Sequence, residues 1–528
     1  MLQGVLPPTD FDVREYHLQA PKEFHLAGGI GFIPHNVYAN MPLGTEMHAL
    51  AAMTLSGDVR TGALAGKTVT AFYGLILMAA VYAAAQKWAR RSHAVAACLA
   101  LAATPWLVNV STAGLNDIAL AVYVFTAFYA FTRAWESQID QKNSNRAGKP
   151  NGSQSDSPRS PDLGWLSLAG YLAGAAAACK YTGLVYTVIP LAALMMARVT
   201  RHANRQAAKA ILVFALAVGF GGGAWYAKNA VLCGNPTYPL LYRWFGGYTW
   251  DDQKNERWGQ VHAAPDYAPA SLAKDAFRLA VASDWLGPLV WPFAIVSLVS
   301  GGRLDSRRRV LWLMAAWIPI VWWLLTHRID RFWLPLLPFL AVGATEGMHA
   351  FSQYRVWRWS VYAVVIPALV VTLLLSSAGI CSYNRILAPL SDLWDDPDRI
   401  GEAHVTLNRM WPNVFSGKLL TVGDAAVFDF EMPVVYATCF DDQPWEVLTK
   451  GKSPKEIHEI LRREGIGCVF VNWAEIARYR SPGNYGFTDY VEPKQFHDLV
   501  RAGVLQPVLM PDRSPGQAYL VKIKPQIE

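Results

Sequence analysis

Ten long stretches of the chain are almost free of charge, and no other feature restricts its fold as strongly. They run over about 62–85, 93–111, 115–132, 163–179, 184–197, 210–231, 284–301, 310–326, 332–350 and 359–379. A helix that crosses the hydrocarbon core of a bilayer needs about 20 apolar residues. Segment 184–197 is short at 14 residues, and together with 163–179 it also suits one broken hairpin. Composition agrees: 53% of residues are hydrophobic and 16% charged, against about 25% charged in an ordinary globular domain. The expected fold class is a mainly α polytopic membrane protein of about ten transmembrane helices, with a C-terminal extracytoplasmic α/β domain.

Charge in the connecting loops sets an orientation. The loops 86–92, 133–162, 198–209, 302–309 and 351–358 hold 18 Lys and Arg in 65 residues. The alternate set, 112–114, 180–183, 232–283 and 327–331, holds 8 in 64. Positive charge stays cytoplasmic, so the first set is expected inside. Three parts follow: an extracytoplasmic first loop over 1–61 with a juxtamembrane helix, a transmembrane part over 62–379, and an extracytoplasmic α/β domain over 380–528. The expected location is a bacterial inner (plasma) membrane, crossed many times, with the C-terminus outside. The net charge of +7 reports topology, and no nucleic-acid partner is expected. Residues 140–162 are rich in Ser, Asn, Gly and Pro and are expected to form a disordered cytoplasmic loop. No spanning segment precedes residues 1–57, and the preferred expectation is a first helix missing from the gene model.

The tail has a different pattern. "KLLTVGDAAVFDF" (418–430) and "IGCVFVNW" (466–473) read as buried strands, and "AYLVKI" (518–523) as a closing strand. Residues 453–465 and 493–503 carry apolar positions at helical spacing. No glycine-rich phosphate loop is present. The six Cys include no CxxC pair, so neither a zinc site nor a disulfide framework is signalled; pairing of Cys439 with Cys468 stays open.

The polar clusters fall on the predicted outer side. "PPTDFDVREYH" (7–17) brings Asp10 and Asp12 close to Glu15 and His17. Its continuation to residue 55 is rich in aromatics, Pro and Asn, unlike a solvated tail, and ends in an apolar stretch suited to the membrane interface. Asn116–Asp117 is either a helix N-cap or a second carboxylate facing the same outer cavity. Lys180 either snorkels to the interface or joins that cavity. His327, Arg328 and Arg331 form a basic group in a tight turn, and Arg and Lys hold phosphate well. Aromatics in "CGNPTYPLLYRWFGGYTW" (233–250) suit stacking on a sugar or packing at the interface.

Taken in order, these motifs resemble the membrane-embedded GT-C glycosyltransferases. That group includes the dolichyl-phosphate-mannose protein mannosyltransferases and the bacterial aminoarabinose transferases. The resemblance rests on the acidic first loop, the juxtamembrane helix, Asp117, "KYTGL", "GNPTYPLL" and "HRIDRFWLPLLPFLAV", and covers roughly 9–350. It implies a sugar transferred from a polyprenyl-phosphate donor to a lipid, glycan or protein acceptor at the outer face, among membrane lipids. Asp12 would be the general base, with Asp10 completing a DxD-like pair. Asp117, with His17 or His35, would orient the acceptor or a divalent metal ion, a possible cofactor. Lys180, Arg328 and Arg331 would hold the donor phosphate. The rivals are a transporter or flippase of a lipid-linked sugar, and a non-catalytic membrane scaffold for the outer domain. A transporter usually shows inverted repeats and ionisable groups near the midplane, and the sequence shows neither.

Overall fold

A computed structural model describes residues 2–87, 90–148, 161–199, 205–282, 289–300, 306–381 and 390–523. All ten hydrophobic segments carry helix. Among the described residues, six helices are long and apolar enough to cross a membrane: Val59–Ala85, Asp117–Trp135, Tyr181–Arg198, Arg205–Cys233, Arg308–Leu325 and Arg355–Leu374. Helices Arg91–Ala102 and Pro105–Ala113 meet at 64° and make a seventh if counted as one bent span. By length and apolarity the described residues therefore support six or seven of the ten expected spans. Pro105 at the start of the second helix of that pair lacks the N–H that would continue the first. Leu163–Cys179, Val290–Ser300 and Leu337–Ala350 are shorter, at 17, 11 and 14 residues. Segment 184–197 is extended toward its N-terminus by Tyr181–Gly183 and a π-helical turn, Leu184–Val188.

The long helix begun at Asp117 continues to Gly148, into the stretch expected to be a disordered loop. The rest of that stretch, up to residue 160, lies outside the described residues.

Close packing fixes the juxtamembrane helix Met47–Ser56. It lies against the start of Val59–Ala85, whose first turn is capped by Asp58 accepting from Thr61 N at 2.6 Å. Gly62 and Gly66 allow the approach. A Cβ on Gly62 would stand 2.3 Å from Met53 Cα, and one on Gly66 2.5 Å from Ala49 Cα. Small residues at helix interfaces in membranes let backbones meet in this way.

Residues 418–521 contain a five-stranded sheet. Its strands are β1 (Lys418–Val422), β2 (Val434–Val435), β3 (Ile466–Val471), β4 (Leu505–Pro507) and β5 (Gln517–Val521), in the order β2-β1-β3-β5-β4. β1 pairs in parallel with β2 and β3, and β5 pairs antiparallel with β3 and β4. The three expected strands are present, but the first stops at Val422; residues 423–430 are buried loop. Pro454–Arg463 opens with a capping box between Ser453 and Glu456. Cys439 and Cys468 are both buried free thiols.

This C-terminal part clasps the N-terminal segment. Arg14 pairs with Asp429 and donates to Ile400 O at 3.0 Å. Lys22 Nζ donates to Phe428 O and Phe430 O, and Arg399 donates to Pro7 O. From the helical part, Lys67 Nζ donates to Leu6 O at 2.6 Å. The stretch bearing Asp10 and Asp12 is therefore held from both sides.

Candidate active site

A cavity of about 690 Å³ opens where the first loop, the end of helix Leu163–Cys179, the turn after Arg308–Leu325 and the C-terminal part meet. Asp12, Lys180 and Arg331 line it, with His262, His327 and Phe332. Asp12, Lys180 and Arg331 lie more than 150 positions from one another in the chain. Each of these three sits where a helix starts or stops.

Asp12 begins the π-helical turn Val13–His17. Its carboxylate is 30% exposed toward the cavity and pairs with the Arg331 guanidinium. Burial alone would raise the Asp12 pKa, but the charge and hydrogen bond of Arg331 outweigh it and hold the group below the usual carboxylate range. Arg331 responds in kind: burial works against its charge, yet Asp12 and Asp117 hold it more firmly protonated than a free guanidinium.

Asp117 sits behind this pair. Its side chain is 1% exposed and accepts from Lys180 Nζ at 3.0 Å, while Arg331 Nε stands 3.7 Å away. Asn116 is spent on Glu46 Oε1 and Cys179 O, at 3.0 and 2.9 Å. Of the two alternatives open for Asn116–Asp117, capping is not what these side chains do. Asp117 does not reach the cavity surface either. From there it contacts Lys180 and Arg331. Lys180 Nζ also lies 4.0 Å from the centre of the Phe332 ring, a cation–π contact.

Other expected residues stand apart. Asp10 accepts from Val13 N at 3.4 Å and does not line the cavity; burial, then the charge of Asp12, raises its pKa. No DxD-like pair faces the cavity. His17 is bonded to Glu46, and His35 to Glu23 at 3.3 Å, both away from the cavity. Arg328 has φ +59°, which turns its side chain from the cavity to Asp275 at 3.0 Å and to Asp266 O. The basic turn thus splits, with Arg331 facing in and Arg328 facing out.

Among the described residues no group of three or more His, Cys, Asp or Glu side chains is disposed to hold a metal ion. A hard divalent ion takes several oxygen ligands, whereas Asp12 and Asp117 each already face a cation. This donor set does not fit the expected divalent metal.

Part of the cavity wall was not foreseen in the sequence: Cys439, Glu475, Arg478, Tyr479 and Tyr485 line it, and Glu15 of the first loop joins them. Glu15 is buried; desolvation, then the charge of Asp12, pushes its pKa well up. His327 is driven down to about 3 by burial and by His262, Lys180 and Arg331, so it is a neutral imidazole at pH 7. The one available signal was composition, since residues 473–485 are dense in Arg and Tyr.

Residues 47–144 match the family described as dolichyl-phosphate-mannose-protein mannosyltransferase. A comparison with curated proteins gives no match. Among solved structures, ArnT from Cupriavidus metallidurans in the apo state aligns with a TM-score of 0.57 at 11% identity, covering 97% of this chain and 93% of ArnT. The same protein bound to undecaprenyl phosphate gives 0.56 at 12% identity, covering 98% and 95%. The oligosaccharyltransferase of Archaeoglobus fulgidus gives 0.49 at 13% identity, covering 91% and 66%. The shared fold and the partial family match agree with the motif resemblance: the chain is a multi-pass membrane protein similar in fold to the GT-C glycosyltransferases.

Proposed function

We propose that the chain is a glycosyltransferase that moves a sugar from a polyprenyl-phosphate-linked donor to an acceptor at the outer face of the membrane, with Asp12 as general base. One observation carries this reading. An ionised carboxylate from the first loop and two cations, Lys180 and Arg331, converge on one cavity from segments that charge counting assigns to one side. The likeness to ArnT, solved with undecaprenyl phosphate, supports the choice of donor.

The chemistry follows from the geometry. Asp12 takes the proton of an acceptor hydroxyl, and that oxygen bonds to the anomeric carbon. The bond from that carbon to the phosphate oxygen breaks, and polyprenyl phosphate leaves. Glycosyl transfer passes through oxocarbenium character that a nearby carboxylate stabilises. Charge builds on the departing phosphate, where fixed cations act most strongly. Lys180 and Arg331 supply them, and Asp117 holds both in place.

Arg331 is occupied by Asp12 in the resting protein. A donor phosphate that draws Arg331 to itself frees Asp12 and raises its basicity, so the base is strongest when the donor is present. The test is transfer from a polyprenyl-phosphate sugar in a reconstituted system. Arg331→Ala is expected to lower kcat by about 10²–10³-fold, the usual cost of losing one preorganised electrostatic contact. Wild-type kcat in that variant would remove Arg331 from the proposed machinery.

A further inference from the structure

Resting on the glycosyl-transfer reading, we infer that the aromatic part of the cavity wall is an acceptor subsite for a neutral saccharide. It is built jointly by helix Asp252–His262 and by residues 475–485 of the C-terminal part.

Three flat rings form its core. Trp258 and His262, one helical turn apart, stack with centroids at 3.8 Å and planes 14° apart. Tyr485 lies nearly parallel to His262, at 6.0 Å and 24°. All three line the cavity. Ring faces are electron-rich and attract the polarised C–H bonds on one face of a pyranose. Beside the rings, Arg478 Nε donates to both oxygens of Glu475, at 2.9 and 3.0 Å. Arg478 also lies over the rings of Tyr485, at 5.9 Å, and Phe11, at 5.6 Å, the residue next to Asp12. A fixed carboxylate and guanidinium side by side offer an acceptor and a donor to neighbouring sugar hydroxyls.

Charge decides the class of acceptor. Lys180 and Arg331 are balanced by Asp12 and Asp117, and Arg478 is balanced by Glu475. Lys180 and Arg331 are the pair assigned to the donor phosphate, and Arg478, the other Lys or Arg lining the cavity, is matched by Glu475, which disfavours a phosphorylated or acidic acceptor at the rings. A peptide is often captured by adding to a sheet edge, yet no residue of β1–β5 lines this cavity. Aromatic faces with a balanced ion pair suit a neutral carbohydrate.

The test uses the full chain in lipid nanodiscs, without donor. Maltose, cellobiose, chitobiose and a Ser/Thr hexapeptide are each presented, and saturation-transfer NMR reads which ligand protons touch the protein. Sugar ring C–H signals are expected from the neutral disaccharides. They should fall about fivefold in Tyr485→Ala and persist in Tyr485→Phe, which keeps the ring. If Tyr485→Ala does not fold, Arg478→Gln carries the test, because that side chain is 42% exposed and the same loss is expected. Equal sugar signals in wild type, Tyr485→Ala and Arg478→Gln would overturn the subsite, as would stronger signals from the peptide. Cleavage of a polyprenyl-phosphate sugar is assayed separately. Cleavage without saccharide contact sinks the subsite alone, whereas saccharide contact without cleavage sinks the glycosyl-transfer reading.

Discussion

Arg331 donates to Asp12, a residue 319 positions away in the chain. The same guanidinium has Nε 3.7 Å from Asp117 Oδ2. One cation therefore serves a carboxylate that faces the cavity and another sealed behind it. A phosphate entering the cavity must compete with Asp12, but not with Asp117, which only holds the cations in place.

That competition has a measurable sign. Asp12→Asn removes the anion that occupies Arg331, so polyprenyl phosphate should bind more tightly even as transfer is lost. A gain of about tenfold corresponds to roughly 1.4 kcal/mol, within the range of one partly exposed ion contact. Titration of the reconstituted variant with polyprenyl phosphate reads it directly; weaker binding than wild type would show that Asp12 and the phosphate do not share Arg331.

A pH profile separates the two states of Asp12. In the free protein burial raises its pKa, but Arg331 more than offsets this and holds the group ionised below the ordinary carboxylate range. The acid limb of kcat/KM reports the free protein and that of kcat the complex. Once a phosphate has drawn Arg331 away, the pKa rises. The acid limb of kcat should therefore lie at higher pH than that of kcat/KM. Coincident limbs, measured by initial rates across pH, would mean that donor binding leaves the pair intact.

The glycines under the juxtamembrane helix should be intolerant of bulk. A Cβ on Gly66 meets Ala49 Cα at 2.5 Å, and backbone cannot yield as a side-chain tip can. Gly66→Val is expected to destabilise by at least about 1–3 kcal/mol, as overpacking does. Thermal unfolding in detergent is the measurement. Gly223, whose added Cβ would meet nothing within 4 Å, is the matched control.

Asp441 links the first loop to the C-terminal part. It accepts from Val37 N at 2.9 Å and Thr438 Oγ1 at 2.6 Å, and burial pushes its pKa up to about 6. The unfolded chain titrates near 3.9, so the folded form binds the proton first. Asp441 thus contributes stability at low pH, and that contribution is lost as pH rises through about 6. Relative to Asp441→Asn, the wild type should gain about 1.4 kcal/mol per pH unit on acidification between about 6 and 4. Parallel melting curves for the two proteins over that range would contradict this.

Much of this was legible in the sequence, for physical reasons that also mark its limits. Each of the ten apolar runs carries helix, because burial in lipid needs continuous hydrophobicity. Among the described residues six or seven of them are long and apolar enough to cross, because Pro105 bends one run and Leu163–Cys179 stops at 17 residues. Asp12, Lys180 and Arg331 were recognisable as polar groups at helix ends on one predicted side. Arg328 lies only three residues from Arg331, and its exclusion depends on a left-handed backbone turn that no side-chain pattern announces. For Asp117 the sequence leaves open a helix N-cap or a carboxylate facing the cavity, while the fold sets it one layer back, against Lys180 and Arg331. Glu475, Arg478 and Tyr485 reach the cavity through long-range docking of the C-terminal part, which local spacing does not encode.

The central claim is that Asp12 accepts the acceptor's proton. Its most direct test is the rate of sugar transfer from a polyprenyl-phosphate donor by reconstituted Asp12→Asn, with folding checked by thermal unfolding. A folded variant that transfers about 10²–10⁴-fold more slowly than wild type, the span of general-base catalysis, is the predicted result. A folded Asp12→Asn protein that transfers sugar at the wild-type rate would contradict it.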